Sequence, residues 1–182
     1  MAALEEPKII KDFITAEEAQ FFLCYTQMMH RNNPFASNDK SYEVPNDDTS
    51  YYADALTESL LLKKHGFMEK ELGIKLFPTY TYWRMYTYGS ELKKHTDRNS
   101  CEISITLHLG SDGTPWPICF NDQCFELKPG EAAIYKGIEW PHYRKEPYKG
   151  DFYSQVFMHY VHADGIHQQY KFDKRPLVGL KK

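Results

Sequence analysis

The sequence lacks the features that mark several large functional classes. Its 22 Lys and Arg against 25 Asp and Glu give a formal net charge of −3, so no basic field is available to hold a phosphate backbone, and we expect no nucleic-acid partner. No run of residues approaches the roughly eighteen apolar residues that a membrane span needs. Residues 1–8 show no apolar stretch behind a positive segment, as a signal peptide would. We therefore expect a cytoplasmic protein with no membrane partner.

Cysteine is scarce as well. The four cysteines, at positions 24, 101, 119 and 124, include no CxxC pair, which argues against a dithiol redox centre, a cysteine zinc site and a disulfide framework. We expect reduced thiols. One exception stays open, because Asn121-Asp122 reads as a hairpin turn that would bring Cys119 and Cys124 opposite each other, where a disulfide is feasible.

The common nucleotide and nucleophile signatures are also missing. The sequence contains no GxGxxG, no Walker loop, no GxSxG elbow and no HExxH. Histidine and carboxylate side chains are therefore the remaining candidates for chemistry.

What the sequence does contain suits one globular domain. A chain of 182 residues fits one hydrophobic core, which typically serves roughly 100 to 200 residues. Hydrophobic residues make up 42% and aromatic residues 15% of the chain, which excludes a disordered or low-complexity protein.

The N-terminal third, residues 1–78, has helical patterning. Thr15-Ala16-Glu17-Glu18 is a capping box followed by apolar residues at helical spacing, which predicts a helix over residues 15–31. Residues 37–50 are polar and predict a surface loop. A second helix is predicted over residues 54–72, broken near Gly66 and ended by Gly73.

After Pro78 the pattern changes to short β-branched and aromatic runs separated by turn residues. The predicted strands are 79–88, 92–97, 102–109, 118–120, 124–127, 131–135, 141–144 and 152–161. Eight short strands indicate a mainly β fold with N-terminal helices, built on a jelly-roll, cupin-like double-stranded β-helix over residues 79–163. Residues 164–182 form a C-terminal extension, whose basic end from residue 171 we expect to be mobile.

Two HxD sequences place an imidazole and a carboxylate on one strand face, where both can bind one ion: His95-Thr96-Asp97 and His162-Ala163-Asp164. Only 18 residues follow the second, too few to supply a third ligand from further strands. The first has several predicted strands after it, one of which carries His142. Two histidines and one carboxylate form the facial triad typical of non-haem iron oxygenases.

Several stretches then resemble a known family, the iron(II)- and 2-oxoglutarate-dependent dioxygenases. Residues 86–97 are similar to the tyrosine, glycine and HxD arrangement of that family. Residues 12–18 look like the entry to the first helix in its prolyl 4-hydroxylase-like branch. Residues 128–135 resemble the strand before the distal histidine, which His142 then matches.

The resemblance implies an oxidoreductase that uses iron(II), 2-oxoglutarate as cosubstrate and molecular oxygen. It implies hydroxylation with succinate and carbon dioxide as co-products. His95, Asp97 and His142 would be the catalytic metal ligands, and Tyr86 would contact 2-oxoglutarate.

One departure concerns the basic residue that pairs the far carboxylate of 2-oxoglutarate. The family carries it beyond the distal histidine, where this chain has Asp151, Phe152 and Tyr153. A buried dicarboxylate needs a cation or several donors. Arg144 is the first candidate, because it lies two residues after His142 and so on the same strand face. The other candidates are Lys149, Arg98 and Arg84.

The substrate and the oligomeric state stay open. A prolyl peptide, another amino-acid side chain, a free amino acid or a small metabolite would each fit. A second hypothesis is a cupin-like metal- or ligand-binding protein without turnover, which the missing base beyond His142 favours. A third is a zinc hydrolase that uses the same three ligands. The remaining histidines, at positions 30, 65, 108, 159, 162 and 167, are assigned structural or surface roles.

Overall fold

A computed structural model describes residues 4–37 and 48–180 of the chain. It contains two long helices, α1 (Ala16–Asn32) and α2 (Ala55–Leu72). The capping box is present at the start of α1: Glu18 N donates to Thr15 Oγ1 over 3.1 Å, and Thr15 N donates to Glu18 Oε2 over 2.9 Å. Gly73 ends α2 in the left-handed region with φ of 67°, a conformation that glycine adopts without strain.

The predicted break of α2 near Gly66 is wrong, since the helix runs through it. A glycine inside a helix costs only about 1 kcal/mol relative to alanine. Leu60, Leu61 and Met68 are buried on the same helix, and their packing outweighs that cost.

Within residues 4–37 and 48–180, nine strands form two antiparallel sheets. The strands are β1 (Lys8–Ile10), β2 (Thr49–Tyr52), β3 (Leu76–Tyr86), β4 (Ile103–Ser111), β5 (Ile118–Phe120), β6 (Gln123–Phe125), β7 (Ala132–Tyr135), β8 (His142–Tyr143) and β9 (Tyr153–His162). The large sheet has the order β1-β7-β4-β9-β3-β2, and the small sheet has the order β6-β5-β8. Short 3-10 helices cover Asn99–Cys101 and Gln168–Lys174.

Most predicted strands are present with ends shifted by a few residues, and the prediction of a jelly-roll core behind N-terminal helices is confirmed. The strand predicted over residues 92–97 is wrong, because only His95 pairs there, in an isolated bridge to His142. Strands β1 and β2 were not predicted; β2 begins inside the predicted loop 37–50, of which residues 38–47 lie outside the described residues.

The large sheet separates an apolar face from a polar one. Its outer face carries Trp83, Ile105 and Met158, which pack with α1 and α2 in one buried apolar cluster. Its inner face carries alternating polar and aromatic side chains. These are Tyr80, Tyr82, Arg84 and Tyr86 of β3, Ser104, Thr106 and His108 of β4, and Gln155, Phe157 and His159 of β9. The small sheet lies against this inner face, where Phe120 meets Tyr135 at 4.5 Å between ring centroids.

The hairpin β5–β6 carries a disulfide between Cys119 and Cys124. The two residues are directly opposite in the strand register, with Cα atoms 3.9 Å apart. The disulfide that the sequence left open for this pair is therefore present, while Cys24 and Cys101 are free.

The C-terminal extension is fixed to the fold, so the expectation of a mobile end is wrong for the residues up to 180. Arg175 is buried and pairs with buried Glu58 of α2, with Nη2 and Oε1 2.5 Å apart. Asp173 is also buried and accepts a 2.5 Å hydrogen bond from Tyr52 of β2. Two buried charged residues cannot leave their partners without a large electrostatic cost.

Across residues 4–37 and 48–180, no helix has the length and apolar character that a membrane crossing requires.

Candidate metal centre

Backbone pairing brings the three predicted metal ligands together. His142 opens β8, and its backbone exchanges two hydrogen bonds with His95, of 2.9 Å and 3.2 Å. Asp97 follows two residues later and donates its backbone N–H to Gly137 O over 2.8 Å. The two segments that carry the ligands are therefore joined to each other next to the site.

The ligand atoms converge on one point. His142 Nε2 lies 3.3 Å and His95 Nε2 lies 3.7 Å from Asp97 Oδ1, and the three ligand atoms all lie within 4.8 Å of one another. Two imidazole nitrogens and one carboxylate oxygen match the donor set of a facial triad for iron(II), which leaves open positions for a cosubstrate.

Hydrogen bonds set the orientation of both imidazoles. His95 Nδ1 lies 2.7 Å from Lys93 O, and His142 Nδ1 lies 3.0 Å from Trp140 O. A carbonyl oxygen only accepts, so each Nδ1 donates its N–H, and Nε2 is left as the atom that can ligate a metal through its lone pair in the neutral imidazole. Both Nε2 atoms face Asp97, as metal ligation requires.

The site is buried on one side and open on the other. The side chain of His142 is 4% exposed and that of Asp97 is 16% exposed, whereas that of His95 is 42% exposed, so the cluster is open to solvent on the His95 side. Burial and the neighbouring His142 lower the pKa of His95. Burial alone would raise the pKa of Asp97, but the hydrogen bond and charge of His142, with His159 and His95, lower it overall. Both pKa shifts favour the forms that bind a metal, which are the neutral imidazole of His95 and the ionised carboxylate of Asp97.

Arg144 is a buried cation with unused hydrogen-bond donors. Its Nη2 donates to Gln155 Oε1 over 2.9 Å, while Nε and Nη1 are buried without a hydrogen-bond partner. The guanidinium lies 4.1 Å from the ring centroid of Trp116 and 4.6 Å from that of Tyr153. A buried cation with two unpaired donors is a candidate anion-binding group.

The other candidate bases are placed differently. Arg84 pairs with buried Asp48, with Nη2 and Oδ2 2.5 Å apart, and Arg98 pairs with Asp173 through bonds of 2.6 Å and 3.0 Å. Lys149 is exposed. Tyr86 is buried opposite Tyr153 in the strand register, and its ring lies 4.9 Å from that of Trp116. Arg144 and Tyr86 therefore share the same aromatic surroundings.

The second HxD does not build a site. His162 ends β9 and donates its backbone N–H to Glu102; neither it nor Asp164 belongs to the clusters of candidate ligands among the described residues. A second cluster does exist, formed by Asp97, Cys101 and His159. Burial raises the pKa of Cys101 well above its ordinary value, which keeps the thiol protonated and a poor metal ligand.

Sequence reasoning missed several polar residues around the site. His108 and His159 were assigned structural or surface roles, yet both lie buried on the inner face, and burial lowers the pKa of His108 to about 3 and that of His159 to about 4. Gln155 bonds both Arg144 and Thr106. The available signal was alternation, since Ser104-Ile105-Thr106-Leu107-His108 places polar residues on one strand face.

The fold and the donor set define a class: a double-stranded β-helix with a two-histidine, one-carboxylate centre. Solved structures that resemble the chain include an oxidoreductase of the 2-oxoglutarate and iron(II) oxygenase family from Burkholderia pseudomallei and proteins with 2-oxoglutarate bound. The viral collagen prolyl hydroxylase of Paramecium Bursaria Chlorella virus-1, in complex with 2-oxoglutarate, aligns with a TM-score of 0.64 at 12% identity, over 88% of this chain and 98% of its own.

Two further solved structures show the same likeness. The prolyl-4-hydroxylase of Pseudomonas putida aligns with a TM-score of 0.63 at 13% identity, over 85% of this chain and 92% of its own. HygX of Streptomyces hygroscopicus, with nickel and 2-oxoglutarate bound, aligns with a TM-score of 0.66 at 9% identity, over 87% and 83%. No protein-family model and no curated protein sequence matches the chain.

Proposed function

We propose that the protein is an iron(II)- and 2-oxoglutarate-dependent oxygenase that hydroxylates an amino-acid side chain, prolyl or other, or a small metabolite. The observation that carries the proposal is the convergence of His95 Nε2, His142 Nε2 and Asp97 Oδ1. This donor set is typical of non-haem iron(II) oxygenases, and the solved structures of similar fold include a 2-oxoglutarate complex.

His95, Asp97 and His142 would hold the metal. Their hydrogen bonds suit this role, because the Nδ1 atoms of His95 and His142 are bound to carbonyl oxygens and leave Nε2 facing Asp97. When bound, iron(II) with 2-oxoglutarate and molecular oxygen would supply the oxidising chemistry, with succinate and carbon dioxide as co-products. The protein would supply the ligands, the unpaired donors of Arg144 for the cosubstrate and the exposed side of His95 for the substrate.

Arg144 would bind the far carboxylate of 2-oxoglutarate. Two observations support this role: its Nε and Nη1 are buried without a hydrogen-bond partner, and the group that accepts from its Nη2 is the neutral Gln155. A carboxylate would satisfy the two idle donors and neutralise the cation. Tyr86 would contact the same molecule, which its position beside Trp116 supports. The basic residue that the family carries further along the chain would thus be replaced by one two residues after His142.

The substrate would approach from the exposed side of His95. A prolyl residue is one candidate, since two of the solved structures of similar fold are prolyl hydroxylases by name. The substrate class as a whole is a small molecule, amino acid or peptide, and cytoplasmic localisation stays a prediction from the sequence.

The test is an anaerobic titration. Iron(II) and then 2-oxoglutarate are added to metal-free protein, and the visible charge-transfer band of the iron–2-oxoglutarate chelate is recorded. We expect a band in the wild type and no iron binding in His142→Ala, with an unchanged circular dichroism spectrum. His162→Ala, at the other HxD, is the matched control and keeps the band. Full iron binding in His142→Ala would overturn the metal assignment.

Arg144 is tested in the same titration. Arg144→Met should still bind iron but raise the dissociation constant of 2-oxoglutarate by roughly 10- to 100-fold, because a hydrogen bond to a charged group contributes about 1.5–3 kcal/mol. Lys149→Met, an exposed control, should stay within about twofold. Iron binding without any band in the wild type would favour the cupin-like binding protein. Hydrolytic activity with zinc under strict oxygen exclusion would favour the hydrolase.

A further inference from the structure

The two oxygens of Asp97 have different neighbours. Oδ1 faces the Nε2 atoms of His95 and His142. Oδ2 points away from them and accepts a 3.1 Å hydrogen bond from Ser104 Oγ. One oxygen is thus directed at the metal position while the other is held by the large sheet.

Ser104 is itself held by neighbouring strands. It is fully buried on β4, in register between Tyr135 of β7 and His159 of β9. Its Oγ lies 2.9 Å from His159 Nδ1 and 3.2 Å from Cys101 O. The hydroxyl has a single proton, and the anionic carboxylate of Asp97 is a stronger acceptor than a neutral carbonyl.

The direction of the hydrogen bonds follows from this. Because Ser104 gives its proton to Asp97, its oxygen must accept from His159, so His159 Nδ1 carries a proton. Two hydrogen bonds therefore follow one another: His159 Nδ1–H donates to Ser104 Oγ, and Ser104 Oγ–H donates to Asp97 Oδ2. Its members lie on β9, on β4 and in the segment after His95.

Gly137 lies against the hydrogen bond between Asp97 and Ser104. A Cβ atom at this position would meet Asp97 Oδ2, Ser104 Oγ and Cys101 O. The backbone oxygen of Gly137 also accepts from Asp97 N over 2.8 Å. The absence of a side chain at Gly137 therefore leaves room for the bond between Asp97 and Ser104.

We propose that Ser104 and His159 are positioning residues that hold Asp97 with Oδ1 directed at the metal, and that this support sets the metal affinity. The inference rests on the proposed function in so far as Asp97 is a metal ligand. Residues that orient a ligand through hydrogen bonds typically change metal affinity by about 10- to 100-fold when they are replaced.

The experiment measures manganese(II) binding to metal-free protein by the electron paramagnetic resonance signal of the free ion, together with the melting temperature. Ser104→Ala should raise the dissociation constant for manganese(II) by about 10- to 100-fold. Ser154→Ala is the matched control: Ser154 is equally buried and bonds Thr26 of α1, remote from Asp97. It should lower the melting temperature by a similar amount yet leave the dissociation constant within about twofold.

A pair of variants at His159 keeps the test decisive if Ser104→Ala does not fold. His159→Asn places an amide donor where Nδ1 stood and should keep the wild-type affinity, whereas His159→Phe removes the donor and should weaken binding roughly tenfold. Wild-type affinity in both Ser104→Ala and His159→Phe would overturn the positioning role alone. Failure of the wild type to bind manganese(II) would overturn the proposed function together with it.

Discussion

A single exposed carboxylate, Asp112, fastens the turn that precedes β9. Its oxygens accept from Tyr148 Oη over 2.6 Å, from Thr114 N over 3.0 Å and from Asp151 N over 2.5 Å. Tyr148 in turn exchanges backbone hydrogen bonds with Gly89 and Ser90. Asp112 thereby links the loops around residues 89, 114 and 150. Burial tends to raise its pKa, but these bonds, led by that from Tyr148, lower it to about 2.

This shift predicts a pH dependence of stability. Because the folded pKa lies below the ordinary value of 3.8, the carboxylate stabilises the fold above that value, and the contribution is lost as the pH falls towards about 2. Asp112→Asn should be less stable than the wild type at pH 7, and the two should converge near pH 2. Urea unfolding at a series of pH values measures the difference.

The control for Asp112 is Asp151→Asn. It also replaces a carboxylate by an amide, at an exposed residue in the turn whose backbone is bound by Asp112. Its stability difference from the wild type should stay small at every pH. A gap between Asp112→Asn and the wild type that is equally large at pH 2 and pH 7 would contradict the electrostatic explanation.

Residue types and spacing predicted the residues that cluster, His95, Asp97 and His142, but not the hydrogen bonds around them. The HxD spacing pointed to His95 and Asp97. Arg144 became a candidate because it lies two residues after His142, on the same strand face. Alternation can place Ser104 and His159 on the inner face, but their role depends on the register of β4 against β9, and the local sequence does not specify the register between distant strands.

At the scale of elements, the hairpin β5–β6 pairs through β5 with the short strand β8, which carries His142. Phe120 of β5 pairs with His142, and Cys119 pairs with Tyr143. The disulfide to Cys124 closes this hairpin. A two-residue strand such as β8 has little stability of its own and depends on such a neighbour.

The disulfide should therefore contribute measurably to stability. Closing a loop of this length is expected to stabilise the fold by about 2 kcal/mol through the entropy of the unfolded chain. A reductant should lower the free energy of unfolding of the wild type by that amount. The double variant Cys119→Ser/Cys124→Ser should show the lower value with or without reductant. A wild type that is indifferent to the reductant would contradict the prediction, and Cys24→Ser serves as the control that responds like the wild type.

Elements with strong local signals were predicted well, and short paired ones were not. The capping box marks the start of α1, and alternation marks β4 and β9. β1 has three residues and β2 has four, which is too short for a periodic pattern. Whether such segments become strands depends on pairing with a neighbouring strand rather than on their own sequence.

At the scale of the whole molecule, the C-terminal extension is tied to the helical layer by one ion pair. Both Arg175 and Glu58 are buried, and Arg175 also donates to Thr79 O and Leu180 O. Arg175→Met leaves the Glu58 carboxylate buried without its cation, which should lower the free energy of unfolding by about 3–5 kcal/mol.

The exposed pair between Lys63 and Glu18 provides the comparison. Lys63→Met should cost no more than about 1 kcal/mol in urea unfolding. The double variant Glu58→Gln/Arg175→Met should recover part of the loss, because no uncompensated charge remains. A loss in Arg175→Met no greater than that in Lys63→Met would show that the extension is not anchored by this pair.

The division of the large sheet into two faces has a consequence for how such proteins diverge. On the helix side, residues such as Ile105 and Met158 need only to fill apolar volume, and cores tolerate many exchanges of that kind. On the other side, each polar group has a particular partner. Mutations can therefore accumulate in the helical layer while the polar side stays fixed, so chains can keep one fold with little recognisable sequence likeness. A shared fold at identities of 9–13% and TM-scores of 0.63–0.66 is compatible with such unequal constraint on the two faces of the sheet.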